Sequence, residues 1–383
     1  ALALKAAHES MVLLKNAGNL LPLDRATLKS IAVIGPNADS VNVLLSNYYG
    51  IPSQPITPLA GLRAAVGPDT EVYYAQGSTI TGEIKGPGIT SAVDVAKRAD
   101  VAVLVLGISQ QLEGEEGQEE GNAPGIKSLG DRAGLGLPEV QQRLLEAVHA
   151  TGTPVVLVLM NGSPVTVNWA DENVPAIIEA WYPGQAGGTA LADVLLGDYN
   201  PGGRLPVTIY RSLDDLPPFK DYDMYKGRTY RFFQGDPLYA FGYGLSYTTF
   251  AYSDLQITSV GATGGSPAPE PSITAGDSVT VNVTVTNTGD RAGDEVVQVY
   301  LRPLAASVPA PLRQLVGFKR VHLAPGARET ISFAVGADQM ALYDDAGHPF
   351  VDAGTYEIAV GGQQPDAGAA TTAVVKGKFT VTV

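Results

Sequence analysis

The run from Val101 to Gly107, VAVLVLG, holds no polar side chain, and two others resemble it: Ile31 to Gly35 (IAVIG) and Pro154 to Met160 (PVVLVLM). A strand with one wet face alternates apolar and polar residues, so unbroken apolar runs of this length suit strands covered on both faces of a parallel sheet. They are far shorter than the roughly 20 residues a membrane span needs. Thr90 to Ala99 and Pro138 to Ala150 carry helical spacing, the second with proline at a first-turn position, and Gly187 to Leu196 is a further helix followed by Gly197. Strands alternating with helices predict a layered α/β domain with a largely parallel sheet over residues 30–210. Ala1 to Asn16 read as one helix stopped by Gly18 and Pro22. Residues 1–29 are therefore expected to be a helical linker from a preceding domain, in a chain cut from a longer protein.

Beyond residue 210 the pattern changes twice. Residues 211–250 are aromatic-rich and irregular, which predicts a connector. After the Pro/Gly/Ser-rich stretch Gly261 to Ser272, Val279 to Thr286 (VTVNVTVT) alternates strictly and runs into the turn signal Asn287-Thr288-Gly289-Asp290. Glu295 to Leu301, Thr330 to Val335, Thr355 to Val360 and Lys378 to Val383 are further short strands. The reading for 251–383 is an antiparallel β-sandwich.

Charge removes several function classes. With 39 acidic against 25 basic residues the formal net charge is -14, which repels a phosphate backbone or an anionic membrane surface. Nucleic acid and membrane are not expected partners. There is no cysteine, so thiol chemistry is excluded. His8, His149, His322 and His348 lack ligand spacing, and neither a metal nor another cofactor is implied. Gly187-Gly188 follows no strand-borne G-x-G-x-x-G, and no G-x-S-x-G elbow is present, which argues against a dinucleotide site and against an esterase.

The strongest chemical signal is the segment after Gly107, which contains Glu113, Glu115, Glu116, Glu119 and Glu120. Ligands of open α/β sheets sit beyond the carboxyl ends of the strands. Crowded carboxylates raise one another's pKa, as a general acid requires near neutral pH. Composition alone favours a solvated acidic loop.

Leu112-Glu113-Gly114-Glu115-Glu116, then Gly130-Asp131-Arg132 and Leu137-Pro138, resembles the loop pattern of glycoside hydrolase family 3, although here a longer stretch precedes Asp131-Arg132. Ile31 to Asn37, Ser46-Asn47-Tyr48-Tyr49-Gly50, Ala180-Trp181-Tyr182-Pro183-Gly184, Asn200 to Pro206, Gly227 to Phe233 and Phe241 to Thr248 continue the resemblance in the family's order. It spans nearly the whole chain. The resemblance implies an α/β sandwich followed by a fibronectin type III-like domain, and as partners an oligosaccharide substrate and an N-terminal (α/β)8 barrel carrying a nucleophilic Asp. It implies a retaining exo-β-glycosidase, most similar to β-xylosidases, with β-glucosidase or a noncatalytic carbohydrate-binding fragment as the alternatives. Glu115 is the first candidate for the acid/base, then Glu113, then Glu116. Tyr48 and Tyr49 either stack on a sugar or pack in the interior. A secreted or periplasmic location follows from the substrate class.

Overall fold

The computed structural model describes residues 1–47, 49–113, 134–259, 270–366 and 374–382. The chain divides into two compact units, residues 1–203 with 211–213, and 204–210 with 214–383.

The first unit contains α1 (Leu2–Ser10), β1 (Val12–Asn16), β2 (Ser30–Ile34), α2 (Pro58–Ala65), β3 (Glu71–Ala75), α3 (Gly88–Ala96) and β4 (Val101–Gly107). It continues with α4 (Glu139–His149), β5 (Val155–Met160), α5 (Asn168–Asn173), β6 (Ala176–Glu179) and α6 (Gly187–Leu196). The sheet order is β1-β6-β5-β4-β2-β3, parallel throughout except for β1, which runs antiparallel to β6. Every residue of β2, β4, β5 and β6 is buried, as their apolar runs require. Right-handed crossovers put the helices on both faces when the strand order reverses. Accordingly α6 packs on α2 and α1, while α3 packs on α4.

One expectation is corrected. Ala1 to Asn16 is not one helix: it bends at Met11, whose φ of -64° and ψ of 131° are extended, and Val12–Asn16 joins the sheet. Val12, Leu13 and Leu14 are buried. Their spacing fits a helix face as well as a buried edge strand, and only pairing with a segment some 160 residues later decides between the two.

The α2–α6 contact depends on missing side chains. A Cβ on Gly61 would lie 2.0 Å from the Gly188 carbonyl oxygen, and one on Gly188 would lie 2.0 Å from that of Thr57. Backbone cannot swing aside as a side chain can. Gly61→Ala is expected to cost about 3 kcal/mol, at the upper end of overpacking penalties, measured as a lower urea midpoint; an unchanged midpoint would show that the helices separate freely.

In the second unit, α7 (Thr229–Phe232) lies within the connector, followed by β7 (Phe250–Ser259), β8 (Ser272–Thr274), β9 (Val279–Asn287), β10 (Gly293–Pro303), β11 (Gln314–Leu323) and β12 (Arg328–Val335). The hairpin β13 (Leu342–Tyr343) and β14 (Pro349–Phe350) precedes β15 (Gly354–Gly361) and β16 (Val375–Thr382). The sheets β11-β10-β15-β16-β8 and β12-β9-β7 face each other across a core that includes Val281, Val283, Val299, Ile358 and Phe379. Pairing is antiparallel except between β16 and β8. Within this unit Arg204 donates to Glu295 at 2.9 Å, with both side chains almost fully buried.

Candidate active-site edge

Strands β2, β4, β5 and β6 deliver their carboxyl ends to one edge of the sheet. The strand order reverses between β2 and β4, the position where open α/β sheets form a ligand crevice. Two devices fix the end of β4. Gly107 has φ 135°, and a Cβ there would lie 2.1 Å from the Met160 carbonyl oxygen, so only glycine fits. The fully buried Gln141 side chain of α4 accepts from the Gly107 amide at 2.8 Å and donates to its carbonyl at 2.7 Å. From this fixed point the chain runs through buried Ser109 and Gln110 and a turn in which the Glu113 amide donates to the Ser109 carbonyl at 3.2 Å.

Glu113 is the candidate acid for which the structure gives a geometry. Its Oε2 accepts from the Gly162 amide at 3.0 Å and from the Tyr182 hydroxyl. Its Oε1 accepts from the amide and the hydroxyl of Ser163. One carboxylate thus joins the segment leaving β4 to the ends of β5 and β6. Glu115, Glu116 and Tyr48 lie outside the described residues. Tyr49, between β2 and α2, is 54% exposed, so it does not pack in the interior.

A second carboxyl lies deeper. Glu179, the last residue of β6, accepts from the Trp181 amide at 3.0 Å and from the Asn161 side chain at 3.1 Å. It is 1% exposed. Burial pushes its pKa up to about 8; the two hydrogen bonds oppose that shift, and the charge of Glu113 adds to it. Asn161 also donates to the Ser163 carbonyl at 3.1 Å, so Glu179 supports the same turn that holds Glu113. Sequence reasoning did not single out Glu179, Asn161, Ser163 or Tyr182 as site residues. The available signal was a lone carboxylate ending the apolar run Ala176 to Glu179, with Asn161-Gly162-Ser163 directly after another such run.

The features so far define a class: a doubly wound α/β unit with a tethered glutamate, Glu113, at its carboxyl edge, followed in the chain by an antiparallel β-sandwich. Residues 11–247 match the family profile described as Glycosyl hydrolase family 3 C-terminal domain, and residues 295–364 match a Fibronectin type III-like domain. The chain belongs to glycosyl hydrolase family 3. A protein named Beta-xylosidase from Formosa agariphila is 41% identical over 369 residues, covering 94% of this chain and 48% of its own length. A Periplasmic beta-glucosidase from Salmonella typhimurium is 36% identical, again over 94% of this chain and 48% of its own. Among solved structures, a β-glucosidase from Erythrobacter marinus superposes with a TM-score of 0.83 at 36% identity, covering 100% of this chain and 50% of that one. The chain thus spans about half the length of the relatives it matches. No helix among the described residues is long and apolar enough to cross a membrane.

Proposed function

We propose that the whole protein is a retaining exo-β-glycosidase that removes terminal β-xylosyl residues from xylo-oligosaccharides, and that this chain supplies its acid/base. The supporting observation is Glu113 at the carboxyl edge of the sheet, tied to the ends of β5 and β6 two residues before Glu115 in the chain. In this reading Glu115 is the acid/base and an N-terminal (α/β)8 barrel provides the nucleophilic Asp. Retention through a covalent glycosyl-enzyme needs the two carboxyl groups about 5 to 5.5 Å apart. The exposed ring of Tyr49 suits stacking against a sugar face. Xylan breakdown products are the matching substrates, and an exported location fits both that chemistry and the periplasmic relative. A β-glucosidase is the second reading, favoured by that relative and by the Erythrobacter marinus structure.

This chain alone is expected to be inactive on aryl β-xylosides and aryl β-glucosides, whereas the full-length protein turns over xylobiose with β-xylose as the first product by NMR. Turnover by the isolated chain would remove the need for a nucleophile from elsewhere. An α-anomeric first product would overturn retention, and preference for cellobiose would move the assignment to β-glucosidase.

A further inference from the structure

The acid/base reading leaves Glu113 without a role, although among the described residues it is the most heavily bonded carboxylate at this edge. An ionised carboxylate offers about four lone-pair positions. Here four donors from three residues occupy them: the Ser163 amide and hydroxyl on Oε1, and the Gly162 amide and Tyr182 hydroxyl on Oε2. A general acid must carry a proton on one of those oxygens and offer it to a leaving group. A proton on Glu113 would meet donors already in place, and only the Ser163 or Tyr182 hydroxyl could reverse to accept it, so the proton would be held by that hydroxyl and not offered to a leaving group. The two amides cannot turn away, because the turn that carries them is itself held through Asn161 by Glu179 and the Ser163 carbonyl. Space is equally restricted: a Cβ on Gly162 would come within 2.9 Å of Glu113 Oε2.

We propose that Glu113 is a positioning residue, the fixed post that ties the segment leaving β4 to the ends of β5 and β6, and that it exchanges no proton in the reaction. The proposal rests on the reading that Glu115 is the acid/base. Its consequence is that Glu113 acts through Glu115, by fixing the chain two residues before it. Misplacement of a catalytic group by about 1 Å costs on the order of 100-fold.

The test is a double-mutant cycle on the full-length protein, with kcat and KM measured for xylobiose and for an activated aryl β-xyloside, with and without azide. Glu113→Ala is expected to lower kcat on xylobiose about 100-fold with KM nearly unchanged, and azide is expected to give no rescue. In a Glu115→Ala background the same substitution should cost almost nothing further, because a post has no effect once the group it positions is gone. Tyr182→Phe removes one of the four donors and leaves the carboxylate in place. It should fall between wild type and Glu113→Ala, and it carries the test should Glu113→Ala fail to fold. Azide rescue of Glu113→Ala would make Glu113 the acid/base and overturn the proposal while leaving a glycosidase in place. Losses that multiply in the double mutant, or wild-type kinetics in both single variants, would overturn it too. Absence of glycosidase activity in the wild-type protein would instead sink the functional reading.

Discussion

Glu115→Ala in the full-length protein should slow xylobiose hydrolysis by roughly 10²- to 10⁴-fold, the range for loss of a general acid or base, while departure of an activated aryl leaving group changes little. The sugar leaving group of xylobiose is a poor one and needs a proton as its bond breaks; a stabilised phenolate leaves without one. After the glycosyl-enzyme has formed, the same residue must deprotonate the attacking water. Azide is already an anion and needs no base, so adding it should restore turnover of the activated substrate in the variant. The product should be a β-glycosyl azide, because two successive inversions preserve the anomeric configuration. Rescue of Glu116→Ala in place of Glu115→Ala would move the role by one residue. Rescue of neither, together with none for Glu113→Ala, would remove this loop from the chemistry.

The second large effect is on stability. Glu179 holds its proton up to about pH 8 in the folded protein, against an ordinary glutamate value of 4.5. Between those two values the unfolded chain has released the proton and the native state has not. The stability this group contributes is therefore complete below the unfolded value and is lost as pH rises through the folded one. At about 1.4 kcal/mol per pH unit, the loss between pH 5 and pH 8 is on the order of 4 kcal/mol. Glu179→Gln abolishes the titration. Any altered hydrogen bond adds an offset that does not depend on pH, so the informative quantity is the slope of the difference. Unfolding is followed by tryptophan fluorescence, since Trp169 and Trp181 both belong to the first unit. The stability of the variant relative to wild type should climb in its favour from pH 5 to pH 8; a flat difference would mean that Glu179 is ionised in the folded protein throughout.

What the sequence reveals depends on whether a segment's environment is local. β4 and β5 are legible because burial on both faces leaves no polar position in the run, and α6 because Gly197, at φ 81°, ends it in the left-handed conformation. β11 gives no such signal: most of Gln314–Leu323 is partly exposed, so strict alternation never develops. β3 is a sheet edge with only Ala75 buried, and it likewise shows neither period. The acidic loop is visible from composition, but the residues that hold its root are not. Glu113, Ser163 and Tyr182 lie 50 and 69 residues apart in sequence and meet only because parallel strands bring their carboxyl ends together.

The strand Val12–Asn16 has a practical corollary for anyone who expresses the α/β unit by itself. A gene trimmed to begin at Ser30, where the first parallel strand starts, would remove β1, the strand that pairs with the outer side of β6. The amides and carbonyls of Ala176–Glu179 would become an uncovered apolar margin, inviting another molecule to add its own strand there and seeding precipitation. Because Glu179 ends that margin, the same trimming would let water reach the carboxyl that the fold keeps dry. A soluble, faithfully folded unit therefore has to retain the residues from Met11 onward.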